Sequence, residues 1–542
     1  MNPVTRLILS IFGSIGLYGM FLLGRFLYQE ATSPLKNLPG PPNPSWIRGN
    51  AKEIQKAELG TLHEKWVEQY GPTFVFKWFF ANRLYTEDTK AITHILLRSG
   101  YTYQKPELAR NWVIKNIIGS GLLVKEEDEH RLQRKVMNPA FGPAQIRELT
   151  EIFVEESIHL RDIWVSQMGS DNKPVRVEAQ SWLSRMTLDV IGRAGFDYRF
   201  NALDSTDSST NELSKAFSLI FGIATRFSMW NILQGVIPML RLIPSRSDYV
   251  KKDAQRTLER IGQDLLQQSK KRLLASGEKA DGWRARDLLS LLVRSNLSGN
   301  DERQKMSDED VISQVPTFIV AGHETTATAV TWALFALTKD KEVQRRLREE
   351  ALNLGTENPS MDELNSLQYL DAVVRETLRV HAPLVATPRV AMKDDILPLS
   401  VPYVDRKGEV HNGVRVRKGD LISIPILAMN KSKELWGEDA KEFKPERWLT
   451  PGGIPTAALA IPGVWGNMLT FLGGAHACIG YRFSVIEMKA LLFVLVRTFE
   501  FDLAVPAEDI VGKMALIQRP HVKSESAKGS QLPLWMKLYV PS

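Results

Sequence analysis

One cysteine, Cys478, stands among 542 residues. A lone thiol forbids any intrachain disulfide, so nothing in the composition marks a fold built for an oxidising compartment. It also excludes zinc and iron–sulfur sites assembled from several thiolates. No run of lysine and arginine stands out, and the net charge of 69 − 62 = +7 is modest for this length, which speaks against a nucleic-acid partner. An anionic membrane surface or an acidic protein fits that balance better. No G-x-G-x-x-G follows a strand and no phosphate-binding loop occurs, so a dinucleotide domain is missing. Repeats and low-complexity tracts are missing as well. Strand-like runs such as VRVRKGDLISIP (414–425) are too few for a doubly wound sheet. The composition, 44% hydrophobic and 24% charged, is that of a globular protein with a large core.

Charge is absent from Leu7 to Gly24, eighteen residues flanked by Arg6 and Arg25. At ~1.5 Å per residue such a helix spans about 27 Å, close to the ~30 Å hydrocarbon core of a bilayer. A cleaved signal peptide would have a shorter apolar stretch and an A-x-A-like site, so a retained transmembrane anchor over residues 1–30 is expected. Arg25 and Lys36 follow it closely, which favours a cytosolic body and leaves the sequons at Asn296 and Asn430 unglycosylated. Four prolines in LPGPPNP (Leu38–Pro44) make residues 31–50 a stiff connector. Residues 51–542 read as one body, with a polar loop near 202–212. The apolar, proline-broken segment Arg226–Ile243 reads as buried core or as a second patch dipping into a bilayer.

The body is expected to be mainly α with a minor β-sheet region. Residues 308–340 form a long, mostly apolar segment, opened by a capping pattern at Ser307 and Asp310. As one helix it would measure roughly 50 Å, with a kink or local opening where Pro316 and Gly322 weaken it. A second capping box, Ser360 to Glu363, predicts a helix running to about Val380, and a third helix covers Gly480–Phe499.

Cys478 lies in FLGGAHACIG (471–480). Gly473, Gly474 and Gly480 carry no Cβ, which lets backbone approach something flat and bulky. Gly480 opens a helix, so Cys478 sits at a positive N-terminal end, where a thiolate is stabilised. His476 offers a cationic or hydrogen-bonding group beside it. Such a thiolate serves as a nucleophile or as the one protein ligand of a macrocyclic metal, and no cysteine-hydrolase signature surrounds it. Elsewhere, His323–Glu324 suggests the zinc motif H-E-x-x-H, but position 327 is alanine.

Phe471, Gly474, His476, Cys478 and Gly480 match F-x-x-G-x-[RH]-x-C-x-G, and the stretch resembles the haem loop of the cytochrome P-450 superfamily, the haem-thiolate monooxygenases. Three further stretches carry the resemblance in the family's order. AGHETT (321–326) is similar to the oxygen-activation motif, with Glu324 and Thr325 as the acid–alcohol pair. Glu376-x-x-Arg379 is followed by Phe443-Lys-Pro-Glu-Arg447-Trp448, which implies that Glu376, Arg379 and Arg447 form a buried network bracing the haem loop. EEDEHRLQRKVMNPAF (126–141) resembles the helix that meets a haem propionate: Arg134 matches the family's arginine, while His130 stands where tryptophan is usual. Arg389 matches a later propionate arginine. The likeness covers about residues 35–540 and is closest to fungal microsomal members.

The resemblance implies the cytochrome P-450 fold and a single catalytic domain behind the anchor. It implies haem b (iron protoporphyrin IX), held by Cys478 as axial ligand of the iron. It also implies proton delivery by Glu324 and Thr325, and insertion of one oxygen atom from O2 into a lipophilic molecule such as a terpenoid, polyketide or fatty acyl chain. Family position places Phe318, Ile319, Ala321, Val385, Ala386 and Leu516 around the substrate. The chain has no room for a flavin domain, so the implied electron donor is a separate NADPH–cytochrome P-450 reductase, docking on cations such as Arg131, Lys135 and Arg482. The remaining implied partner is membrane lipid, and the implied location is the endoplasmic reticulum with the catalytic domain in the cytosol. Two alternatives are a haem-thiolate isomerase or dehydratase, whose members often lack the acid–alcohol pair, and a non-catalytic haem sensor, which needs no proton relay.

Overall fold

In the computed structural model the proline connector is tied down rather than free. Val75 N donates to Pro39 O at 2.9 Å, and a Cβ on Gly40 would stand 1.9 Å from Val75 O. Only glycine lets the connector lie this close to a strand. The structure describes residues 3–113, 119–169, 173–204, 212, 216, 246–275, 287–297, 305–514 and 517–540. The segment 226–243, read as core or as a membrane patch, lies outside the described residues, as does most of the polar loop near 202–212.

The chain divides into two units, Met1–Gln104 with Ala386–Ala428, and Lys105–Val385 with Met429–Ser542. In the first, strands β1 (Thr73–Trp78), β2 (Ala81–Thr86), β3 (Tyr103–Gln104), β5 (Thr387–Ala391) and β8 (Leu421–Ile424) form one sheet in the order β1-β2-β8-β5-β3. The β1–β2 hairpin pairs Thr73 with Thr86 and Trp78 with Ala81, while β2 runs parallel to β8. Trp66, Phe74, Phe76 and Tyr85 form its core cluster, and each such buried side chain contributes about 1.5–3 kcal/mol. A second hairpin joins β6 (Asp395–Val404) to β7 (Val410–Val416).

The first unit begins with a 29-residue helix, Pro3–Ala31. Its end is fixed to the β1–β2 hairpin: Glu30 Oε2 lies 3.2 Å from Lys77 Nζ and accepts from Asn82 N at 3.0 Å. The side chains of Leu7, Ile8, Leu9, Ile11, Phe12, Ile15 and Leu22 lie outside the described ones. Among the described residues no helix is long and apolar enough to cross a membrane, so the expected transmembrane anchor is not found.

The second unit is mostly helical. Its central helix, Gln314–Lys339, is buried along most of its length and measures ~39 Å. The expected long segment breaks at Ser313, between Asp308–Ile312 and this helix. Pro316 accounts for the break, because it has no N–H for the Ile312 carbonyl. Gly322 does not interrupt the helix. A Cβ there would meet Ile191 Cδ1 at 2.9 Å, so this glycine sets the close packing of the helix Ala179–Phe196. The capping box at Ser360 and Glu363 is present, but its helix ends at Ser366 and a new one runs Gln368–Val380. The third expected helix runs Tyr481–Thr498, with Gly480 as its N-cap. It is fastened to the central helix by Thr326 Oγ1 and Ser484 Oγ, 3.1 Å apart.

Two small sheets complete this unit. β12 (Pro533–Leu538) lies between β4 (Val175–Glu178) and β9 (Phe499–Leu503), and β10 (Ile510–Met514) pairs with β11 (Gln518–Val522). The architecture is mainly α with minor sheets, as the sequence predicts.

Candidate active site

The loop before the helix Tyr481–Thr498 folds back on itself. Leu472 and Gly474 adopt φ of +54° and +71°, a region that costs a branched side chain energy. Two backbone bonds close the turn: Ala477 N donates to Gly474 O at 3.1 Å, and Cys478 N to Phe471 O at 2.9 Å. Cys478 is thereby held two residues before the helix N-cap, Gly480.

Its thiol is accessible to a water-sized probe, yet burial in surrounding protein pushes it above the ordinary thiol value. The Gly480 N–H and Arg134 pull the other way. The helix N-terminus therefore does not by itself make Cys478 a thiolate, whereas coordination to a metal cation deprotonates a thiol outright. Ala321 is likewise exposed on an otherwise buried stretch of the central helix. A single exposed thiol presented on a glycine-rich loop suits a haem, which would need one soft protein ligand there.

His476 is engaged by Glu126, Lys105 and His130. Its side chain is 4% exposed, with Nε2 3.1 Å from Glu126 Oε2, although the approach is too oblique for a well-formed hydrogen bond. Its ring lies 4.3 Å from that of His130. Lys105 Nζ stands 3.4 Å from His476 Nδ1 and 3.6 Å from Glu126 Oε1. Burial works against ionising Glu126, but the contact with His476 and the charge on Lys105 win and draw it down to about 2. Burial, then the charges of His476 and Lys105, push His130 down to about 3, so His130 is neutral. Arg134 Nη1 donates to Ala477 O at 2.6 Å, directly before the cysteine. The two histidines at positions where the family favours tryptophan and arginine thus pack against each other.

The brace is fully formed. Arg379 makes two parallel bonds to Glu376 and donates to Asn430 O at 2.8 Å and Glu442 O at 2.9 Å. Arg447 Nε, Lys444 N and Trp448 Nε1 each donate to the same carboxylate at 2.9 Å. Asn430 carries the brace to the loop: its Nδ2 donates to Thr470 Oγ1 at 2.8 Å, and its Oδ1 accepts from Leu469 N at 3.0 Å. Phe471 follows at once. The part played by Asn430 was not legible, because its sequon suggests a surface site.

In the central helix, Thr325 Oγ1 donates to Ala321 O at 2.6 Å, the back-bond expected of a helical threonine. Glu324 is paired with Arg519 of β11, a partner 195 residues away that no local motif announces. His323 Nε2 lies 2.9 Å from Ser184 Oγ.

The remaining predicted positions fall as follows. Phe318 is buried, with its ring 5.5 Å from Phe141, and Phe141 in turn lies against Gly480. Ile319 is fully buried. Val385 is half-buried in the second unit and Ala386 half-buried in the first. Arg389 is in the first unit, on β5, where it is buried and Nη1 donates to Thr387 Oγ1 at 2.7 Å and Pro388 O at 2.8 Å. Leu516 lies outside the described residues.

The sequence model of the family described as Cytochrome P450 matches residues 39–523. Cytochrome P450 monooxygenase 205 of Postia placenta is 54% identical over 94% of this chain and 94% of its own. Cytochrome P450 monooxygenase claP of Ampulloclitocybe clavipes is 36% identical over 95% of this chain and 94% of its own. Ganoderic acid synthetase CYP5150L8 of Ganoderma lucidum is 33% identical over 98% of each. Likeness of this extent, on a fold whose one thiol is presented as a haem needs it, means that the chain belongs to the cytochrome P450 family of haem-dependent monooxygenases.

Proposed function

We propose that the protein hydroxylates a lipophilic small molecule in fungal secondary metabolism, such as the tailoring of a terpenoid, with electrons from a separate NADPH–cytochrome P-450 reductase. One observation carries the reaction class. Cys478 lies in the loop leading directly into the helix that Thr326 and Ser484 fasten to the turn bearing Glu324 and Thr325, so the ligand and the proton-handling pair share one support. The lipophilic reading is supported by the apolar character of Phe318, Ile319 and Ala321, and a role in secondary metabolism by the likeness to the ganoderic acid synthetase of Ganoderma lucidum.

Haem, when bound, supplies the activation of O2 and the insertion of one oxygen atom into a C–H bond. Cys478 would hold it through sulfur, with Arg134 fixing the Ala477 carbonyl beside that sulfur. Glu376, Arg379 and Arg447 keep the loop from yielding under that load. Thr325 commits its hydroxyl proton to Ala321 O, which leaves its oxygen free to accept one. Glu324 is the nearest group in sequence able to supply it, and Arg519 holds that carboxylate in place. Exposed Arg131 and Lys135, with Arg482, suit an acidic reductase surface. Attachment to the endoplasmic reticulum, with the body in the cytosol, is supported by the uncharged run Leu7–Gly24 of the sequence.

The test is co-expression with a reductase in microsomes, followed by a screen of terpenoids and other lipophilic compounds. A compound that shifts the haem spin state and gives a mono-oxygenated product only with NADPH supports the proposal. Turnover of a lipid peroxide without NADPH, and none with it, would replace it by the isomerase reading.

A further inference from the structure

Within AGHETT, His323 carries a titratable side chain to which neither haem binding nor the acid–alcohol pair assigns work. The turn around it is closely held. Thr187 Oγ1 donates to the His323 carbonyl at 3.0 Å, and Ile191 packs where Gly322 lacks a side chain. The imidazole Nε2 stands between two groups, Ser184 Oγ at 2.9 Å and Glu324 Oε1 at 3.6 Å. Arg519 occupies the other carboxylate oxygen, Oε2, so Oε1 is the one left toward the imidazole. Ser184 is half-buried, and Ser181, one turn earlier on the same helix, is exposed. Ser184, which is not fully buried, His323 and Glu324 therefore stand in sequence, ending at the acid of the acid–alcohol pair.

We propose that His323 passes protons from Ser184 to Glu324 and so sustains, from outside the haem site, the proton supply on which the monooxygenase reading above depends. The Ser184 hydroxyl gives its proton to His323 Nε2 as the serine oxygen takes up a proton from bulk solvent, so the net change is one solvent proton moved to the imidazole. The imidazolium then gives that proton from Nε2 to Glu324 Oε1 and returns to the neutral ring. No electrons move and no other reactant is needed. Burial, reinforced by Arg519 and opposed by Glu324, holds His323 below its ordinary value. The charged ring is therefore short-lived and a ready donor. His323 acts only through Glu324, so a packing role and a relay role must be told apart.

His323→Gln separates them, because glutamine keeps a hydrogen bond to Ser184 but cannot carry a proton. The full-length holoenzyme is reconstituted with saturating reductase and no added substrate, and NADPH consumption is followed in H2O and D2O. The red-shifted Soret band of the reduced, carbon-monoxide-treated protein verifies the haem site in each variant. The expected result is a fall of about tenfold in His323→Gln, less than the ~10²-fold typical of an essential general acid because water still reaches Glu324. A solvent isotope effect at least double that of the wild type accompanies it, with a smaller change of the same kind in Ser184→Ala. In Glu324→Gln, adding His323→Gln should change nothing further. A His323→Gln variant with wild-type rate and isotope effect would overturn the proposal. A wild type that lacks the red-shifted band would instead overturn the reading beneath it.

Discussion

Arg379 and Glu376 meet through two parallel hydrogen bonds, Nε to Oε2 at 2.9 Å and Nη2 to Oε1 at 2.7 Å, with neither side chain exposed at all. A buried pair of this kind contributes little net stability over an apolar pair, but removing one partner leaves the other charge stranded. Here Glu376 also compensates Arg447. Glu376→Gln should therefore cost about 3–5 kcal/mol, seen as a lower denaturant midpoint and protein purified with little haem. Wild-type stability and haem content would refute the bracing role.

Asn430 is fully buried, and both ends of its amide are bonded to Thr470 and Leu469. Asn296 is similarly engaged, with both amide ends on the backbone of Met306. Neither sequon is open to glycosylation in the folded chain, whichever side of a membrane it occupies. Asn430→Ala should destabilise by about 1–3 kcal/mol, the cost of leaving buried polar groups unmet, and treatment of the wild type with an endoglycosidase should not change its mass.

Burial pushes His63 down to about 4, against 6.5 for an unperturbed histidine. The ring is neutral in the fold, so protons bind the unfolded chain more readily. Its contribution is fully present above pH 6.5 and is lost as pH falls through that value toward 4, by about 3 kcal/mol in all. His63→Phe keeps the stacking on Tyr85, whose ring is 5.3 Å away, and should lose correspondingly less stability between pH 7 and pH 4 in urea titrations. An acid limb identical to that of the wild type would contradict this.

Thr325→Ala should retain haem and its spectrum but lose product, with product per NADPH falling by roughly 10²-fold and hydrogen peroxide rising to match. The variant removes the hydroxyl that bonds Ala321 O together with one methyl group, and alanine favours a helix, so the helix should persist. Undiminished product would exclude Thr325 from proton handling.

What was legible in the sequence was what lies close along the chain. The Cys478 loop and the brace motifs have fixed local spacings, and the helix capped by Gly480 follows from one glycine and an apolar period. Pairings between distant segments left no such mark. Arg519 reaches Glu324, Ser184 reaches His323, and Asn430 reaches Thr470 only because helices and strands bring them together. Gly322 was read as a weak point in a helix, since sequence shows the missing Cβ but not the Ile191 side chain that fills the space. His476 was placed beside the thiol on two residues of separation, and its contacts with Glu126 and His130 left no mark in that local spacing.

The central claim is that the sulfur of Cys478 ligates haem iron as a thiolate. Its most direct measurement is the absorption spectrum of the purified, reduced protein under carbon monoxide. A strongly red-shifted Soret band, lost in Cys478→Ala, is the predicted result. A band at the unshifted position of a histidine-ligated haem, or no haem at all in the wild type, would contradict it.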